Sequence, residues 1–273
     1  MSEIRHLSEA PTGRRPLAPG AGIDAHRHDT HQIVYACRGV LSVTTDAGVW
    51  VAPANRAIWV PAGTVHEHRA HGDTDLRLVG LTRNPLDLDR PAVLAVGPLL
   101  RELIIAYTHT PGPDLAPADA SVGADVRDGR EQGGDQGGEH GGERRRLLAV
   151  LLDQLRRAPE QPLHLPTARD PRLAAVCAAL HRDPADPSTL AGFAARTGTS
   201  DRTLARLCRA ELGMTFPQWR TQLRLHHALL LLADGTPVTT VAHRCGWASA
   251  SAFIDVFRRA FGYTPGRLRP VDE

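Results

Sequence analysis

Two stretches near the C-terminus share one build. Residues Ser188–Arg209 read as a short apolar-periodic helix, a turn at Gly198, and a second helix opened by Ser200 and closed by Arg209. Residues Pro237–Arg259 repeat the plan, with the turn at Gly246 and the second helix opened by Ser249. Helix, tight turn and helix form the helix-turn-helix unit, whose second helix is the one that enters a DNA major groove. Two such units joined by a single helix-length segment, Phe216–Ala233, oblige both to pack on that segment. A plain helical bundle is the competing reading.

Charge favours the polyanion-binding reading. The chain has no Lys, so all 32 basic side chains are Arg, and every cationic contact comes from a planar guanidinium. The net charge of +2 conceals an asymmetry. Arg202, Arg206, Arg209, Arg220, Arg224, Arg244, Arg258, Arg259, Arg267 and Arg269 are opposed only by Asp201, Glu211, Asp234 and Asp255, whereas segment 111–143 is acidic. Solvated helix faces would also account for the excess.

A chain of 273 residues with 42% hydrophobic content suits two ordinary domains. From Ala25 to about Leu81, short apolar runs are broken by Gly, Pro, Asp and Asn. Strands are predicted at Gln32–Cys37, Val40–Thr44, Val49–Val51, Ala57–Val60 and Leu76–Leu81, which implies a sandwich or barrel. Residues 1–20 read as a loose arm, and Val96–Tyr107 as a helix. Arg144–Arg157 is a helix with Leu147, Leu148, Leu151, Leu152 and Leu155 in one stripe. Pro159–Pro166 is an extended linker. Thr236 is expected to cap a helix that begins at Pro237. The resulting division is a sensor-like unit at 1–110, a disordered Gly-rich acidic insertion at 111–142, an interdomain or dimerisation helix and linker at 143–166, and a helical domain at 167–273. Cys37, Cys177, Cys208 and Cys245 form no Cys-x-x-Cys pair and are expected to be free thiols. With no signal-like or membrane-spanning apolar run, a cytoplasmic protein without membrane partners is expected.

The Thr189–Pro270 stretch resembles the DNA-binding domain of AraC/XylS-family transcription regulators. Val241-Ala242, Cys245-Gly246-Trp247, Ser249, Ser251, Phe253, Phe257-Arg258, Phe261-Gly262 and Thr264-Pro265 carry the resemblance. It implies two helix-turn-helix units on one long helix, and it places Arg202, Ala205 and Arg206 at base-reading positions. Helical phase adds Thr203 and Arg209 in the first reading helix. In the second it adds Ala250, Ser251 and Asp255 facing the groove, with Arg258 and Arg259 on phosphates. An Arg can fork onto guanine O6 and N7, and an Asp can accept from a cytosine amino group.

In the N-terminal half, Gly20, His26-x-His28, Gln32 and Gly39 are followed by Pro61-x-Gly63 and His66. These spacings resemble the two cupin motifs and imply a small β-barrel with an internal pocket. Gln32 stands where that family's metal-binding Glu sits, Ala70 replaces a common Asn, and Asn55 replaces the Gly that opens the second motif. His26, His28 and His66 are candidate ligands for one transition metal ion. The same three with Tyr35 and Trp59 are candidate walls for an organic effector. His31, His68 and His71 are expected at the rim or exposed.

The fold class implied is α+β, a cupin barrel followed by an all-α double helix-turn-helix domain. The function implied is sequence-specific regulation of transcription, with a small molecule sensed in the barrel. Double-stranded DNA and a homodimer partner are expected, with RNA polymerase a further candidate; Leu147, Leu151 and Leu155 lie either at or near the dimer contact or, as an equal alternative, against the barrel of their own subunit. A metal-responsive regulator using the cupin histidines is one alternative, and a cupin metalloenzyme is another. No catalytic residues are assigned, because Gln32 is a poor acid or base.

Overall fold

The computed structural model describes residues 4–109 and 136–268, with the backbone alone for 136–141. Its elements run β1 (Arg5–Leu7), β2 (Gly13–Leu17), β3 (Gly22–His28), β4 (His31–Thr45), β5 (Gly48–Pro53), β6 (Arg56–Val60), β7 (His66–Leu81) and β8 (Ala92–Ala95). Then come α1 (Pro98–His109), α2 (Gln136–Arg157), β9 (Glu160–Gln161), β10 (His164–Pro166), α3 (Pro171–Arg182), α4 (Leu190–Arg196), α5 (Asp201–Glu211), α6 (Phe216–Ala233), α7 (Val238–Arg244) and α8 (Ala250–Phe261). A 3-10 turn closes the described chain at Pro265–Leu268.

The two long strands β4 and β7 pair antiparallel and organise the barrel, with β5 and β6 on one and β2 and β3 on the other. Side chains alternate faces along a strand. On one face Val34, Ala36, Ile58, Val60, Ala70, Leu76 and Leu78 fill the barrel interior. On the other, Ile33, Tyr35, Trp59, Val79 and Leu81 pack under α1 and α2 with Ile104, Leu151 and Leu155. The alternation slips once in β4: Val34 and Ala36 point inward before the irregularity, Leu41 and Val43 after it. Gly39 sits at the slip with φ +82°, where a Cβ would lie 2.5 Å from Thr74 Oγ1. A bulge there lets one strand serve both ends of the barrel.

Several expectations change. The two strands expected at Gln32–Cys37 and Val40–Thr44 are one bulged strand, and β7 begins ten residues before the expected Leu76, at His66. Residues 4–20 are not a loose arm: β1 pairs with β3, and β2 with β7, where Arg14 bonds Asp75 at 2.8 Å. The 159–166 linker is extended but bound, because β9 pairs with β8 and β10 with β5. Helix α2 starts at Gln136, inside the expected insertion, since adding turns to an existing helix is easier than nucleating one. The remainder of that insertion, 111–135, lies outside the described residues. The leucine stripe is committed within its own subunit: Leu151 and Leu155 are fully buried against the barrel, with Leu147, Leu148 and Leu152 half-buried beside them.

The helical half hangs on α6. Thr215 and Gln218 form a reciprocal cap at its start, satisfying backbone donors that have no partner within the helix. Its first turns, with Phe216, Trp219 and Leu223, join Leu180, Phe193, Leu204 and Leu207 in one core. Its later turns, with Leu225, Ala228, Leu229 and Leu232, join Val241, Phe253, Phe257 and Phe261 in another. That second core also takes in Val40 and Val51 of the barrel, so α6 is shared by three bodies. The α7 cap differs from expectation. Pro237 is extended (φ −57°, ψ 141°) and occupies the cap position itself, without a side-chain hydrogen bond. Cys177, Cys208 and Cys245 are buried free thiols, and Cys37 is a half-buried one bonded to Asp75.

Candidate functional site

Helix α5 is set by its ends. Ser200 Oγ accepts the Thr203 backbone N–H at 3.1 Å, and Gly198 takes the left-handed turn at φ +65° between α4 and α5. Leu204, Leu207 and Cys208 then fall inward, which leaves Arg202, Arg206 and Arg209 exposed along one stripe at i, i+4 and i+7. These three make no ion pair among the described residues. Thr203 and Ala205 are half-buried, and the Thr203 hydroxyl is tied to Ser200 at 2.9 Å.

Helix α8 follows the same logic. Ser249 Oγ accepts the Ala252 N–H at 3.1 Å, Phe253 and Phe257 go inward, and Ser251, Asp255, Arg258 and Arg259 are exposed. Its charges are less free than those of α5. Arg258 lies 3.7 Å from the Asp255 carboxylate, and Arg259 donates to the Asp255 carbonyl at 3.3 Å. Ala250 was expected at the groove but is half-buried against the second core. Arg220 and Arg224 also leave the basic surface. They are half-buried on α6, where Arg224 donates to the Pro184 carbonyl at 2.9 Å and Arg220 to that of Ser188, so they hold the α3–α4 loop. Arg269 lies outside the described residues.

The barrel interior holds a second feature. His26 on β3 pairs in register with His66 on β7, and His28 and His68 follow two residues on along the two strands. All four rings are buried on the interior side of the barrel, with centroids 4.3 Å apart for His26–His66, 4.9 Å for His28–His66 and 5.0 Å for His66–His68. Burial lowers all four pKa values, His66 to about 3 and His68 well below the usual imidazole range, so the rings are neutral. His68 therefore departs from its expected rim position. The strand runs on through it, and its parity with His66 turns it inward. The signal was present in sequence, since His66-x-His68 repeats the His26-x-His28 pattern. Gln32 is also fully buried on the interior face.

Tyr35 and Trp59 do not join this cluster. They sit on the opposite face of the sheet, where Tyr35 Oη donates to the Ala54 carbonyl at 2.7 Å and Trp59 Nε1 to that of Leu88 at 2.9 Å. The strand alternation assigns them to the helix-covered side, so they are not walls of the histidine site. His31 stacks on Trp59 with centroids 5.1 Å apart on that same side. His71 is half-buried and shares a 3.0 Å hydrogen bond with Ser42.

The barrel and the second helix-turn-helix unit are joined by more than apolar contact. Asn55 Nδ2 donates to the Phe261 carbonyl at 2.9 Å, and the buried Arg56 guanidinium lies 3.4 Å from that of Ala260, both at the end of α8. Asn55 thus has a structural use at the position where the cupin motif has Gly. Gln222 of α6 reaches the Pro162 carbonyl at 2.6 Å.

Two capped, Arg-bearing helices carried on one shared helix define a double helix-turn-helix module with an appended barrel. Comparison with known proteins agrees. Residues 193–270 match the helix-turn-helix domain family, and residues 14–82 match the cupin domain family. The HTH-type transcriptional regulator NimR of Escherichia coli K12 is 31% identical over 243 residues, covering 89% of this chain and 80% of that protein. The HTH-type transcriptional activator RhaR of Klebsiella pneumoniae is 33% identical over 123 residues, covering 45% of this chain and 43% of that one. Among solved structures, the DNA-binding domain of AdpA in complex with a target DNA shares 33% identity over 35% of this chain and 87% of that chain, with a TM-score of 0.34. The chain belongs to the AraC family of helix-turn-helix transcription regulators, and it is a regulator rather than an enzyme. Among the described residues, no helix is long and apolar enough to cross a membrane.

Proposed function

We propose that this chain is a one-component regulator that reads a specific double-stranded DNA site through α5 and α8 and senses a ligand in its barrel. The observation that carries the reading is the arrangement around α6. One rigid helix holds both reading helices and also packs on barrel residues Val40 and Val51. At 1.5 Å per residue its 18 residues span about 27 Å, which suits units set about one DNA turn apart. In this reading α5 supplies base contacts through Arg202 and Arg206, and Arg209 contacts phosphate. Ser251 and Asp255 reach base edges from α8, while Arg258 and Arg259 hold phosphates. His26, His28 and His66 line the sensing site. Occupancy there changes how the barrel bears on α6 and on the end of α8, and hence the set of the two reading helices.

The protein works in the cytoplasm as a homodimer and can contact RNA polymerase from its promoter-bound state. The dimer contact uses the outward faces of α1 and α2, where Leu99 and Val150 are exposed, and not the buried leucines. The test is selection of bound duplexes from a random pool, followed by footprinting. The expected result is one enriched sequence with two protected patches about 10 base pairs apart. Binding that enriches no sequence would overturn the reading.

A further inference from the structure

From the barrel geometry we infer that the four inward histidines form a transition-metal site, and that His68 supplies the ligand which the missing carboxylate at Gln32 would otherwise provide. This rests on the sensor reading of the barrel and names the chemical class of its ligand.

Backbone carbonyls fix the tautomers of three of the rings. His26 Nδ1 donates to the Asp24 carbonyl at 2.8 Å, His28 Nδ1 to that of Thr30 at 2.6 Å, and His66 Nδ1 to that of Thr64 at 2.8 Å. A carbonyl only accepts, so each Nδ1 carries the proton and each Nε2 keeps a lone pair. Backbone-oriented imidazoles of this kind are how proteins aim histidines at a metal.

His28 Nε2, His66 Nε2 and both ring nitrogens of His68 are shut away from solvent with no hydrogen-bond partner. An orphaned buried polar atom is costly, and a cluster of them on rings whose centroids lie 4.3–6.0 Å apart from neighbour to neighbour calls for a common partner. Candidate ligand atoms of His26, His66 and His68 all lie within 4.8 Å of one another. Tetrahedral nitrogen ligands at 2.0–2.1 Å from zinc would be about 3.3 Å apart, so small ring rotations bring these three into place. His28 lies outside that 4.8 Å group, but its ring stands edge-on to His66 with centroids 4.9 Å apart, and it would supply the fourth nitrogen. Gln32 is excluded as the anionic ligand by chemistry, since its amide is neutral and its Nε2 points toward the Pro11 carbonyl at 3.4 Å. An all-imidazole set suits zinc, copper, nickel or iron in preference to magnesium or calcium.

The test uses the full chain without a polyhistidine tag. Titration with Co2+, followed by absorption spectroscopy, and with Zn2+, followed by calorimetry, should show one equivalent and the intense visible bands of tetrahedral cobalt. His68→Gln should weaken Zn2+ binding by more than about tenfold and lose the tetrahedral spectrum, whereas His71→Gln should match wild type. Zn2+ should also raise the melting temperature of wild type but not of His68→Gln, which checks that the variant is folded and unligated. Full-affinity binding by His68→Gln, or the absence of stoichiometric binding by wild type, overturns the assignment. Neither outcome touches the sensor reading, which fails separately if no ligand that binds the wild-type barrel changes promoter binding, or if Leu229→Ala, which loosens the barrel–α6 contact, responds to such a ligand as wild type does.

Discussion

Replacing Leu151 by Ala probes where the α2 leucine stripe is spent. Leu151 is fully buried in the layer between α2, α1 and the outer face of the barrel, among Ile33, Tyr35, Trp59 and Ile104. The substitution removes the equivalent of three methylenes, worth about 2.4 kcal/mol at roughly 0.8 kcal/mol each, and the residual cavity adds about 1 kcal/mol more. A loss of about 3–4 kcal/mol is a large share of a typical domain's stability, so the barrel should remain folded but unfold at clearly lower urea. Trp59 lies in the same layer, so its fluorescence follows this packing directly. The measurement is urea unfolding of wild type and Leu151→Ala at two protein concentrations tenfold or more apart. Packing within one subunit gives a midpoint drop that is the same at both concentrations. A drop that disappears at high concentration would place Leu151 at a subunit contact, and an unchanged midpoint would refute its burial.

Other perturbations address the seam and the reading helices. Gly72 has φ +67°, and a Cβ there would lie 2.6 Å from the Ala233 carbonyl, so Gly72→Ala should lower the melting temperature by the equivalent of about 1–2 kcal/mol; an unchanged melt would contradict this contact. Burial holds His226 at about 3 and His227 at about 4, with His71 and His181 adding repulsion and Asp234 beside His71 opposing it. Because both rings are neutral when folded and protonate near 6.5 when unfolded, their contribution is complete above pH 6.5 and declines as pH falls toward 4, by at most about 1.4 kcal/mol per pH unit each. His226→Leu should therefore flatten the acid side of a stability-against-pH curve, and parallel curves would refute the assignment. Arg258→Ala and Arg259→Ala should weaken selected and random duplexes alike and reduce the salt slope by about one unit each; an effect confined to the selected site would show base reading instead.

The helical half was legible because its signals are local. Caps at Ser200, Thr215 and Ser249, Gly turns and apolar periodicity mark each element within a few residues, and Phe216–Ala233 matches its expected bounds. The barrel was less legible because strand pairing is non-local. Leu17 reads as loop until β7 lies beside it, and Leu165 reads as linker until β5 does. His68 was misplaced by the same cause: its burial depends on how far β7 extends before Leu76. Tyr35 and Trp59 are expected at the pocket but face outward; for Tyr35 the parity is legible, since Gln32, Val34 and Ala36 of the same unbroken stretch point inward, whereas Trp59 takes its face from a pairing with Ile33 that only the fold supplies.

Fluorescence anisotropy on the selected duplex and on a scrambled duplex of equal length, at one fixed salt concentration, decides whether α5 reads base sequence. Arg206 is exposed on α5 without an ion pair, four residues from Arg202 on the same stripe. Arg206→Ala should cost about 1–3 kcal/mol on the selected duplex and much less on the scrambled one, so the specificity ratio collapses. Equal losses on both duplexes would reduce Arg206 to a phosphate contact and contradict sequence reading by this helix.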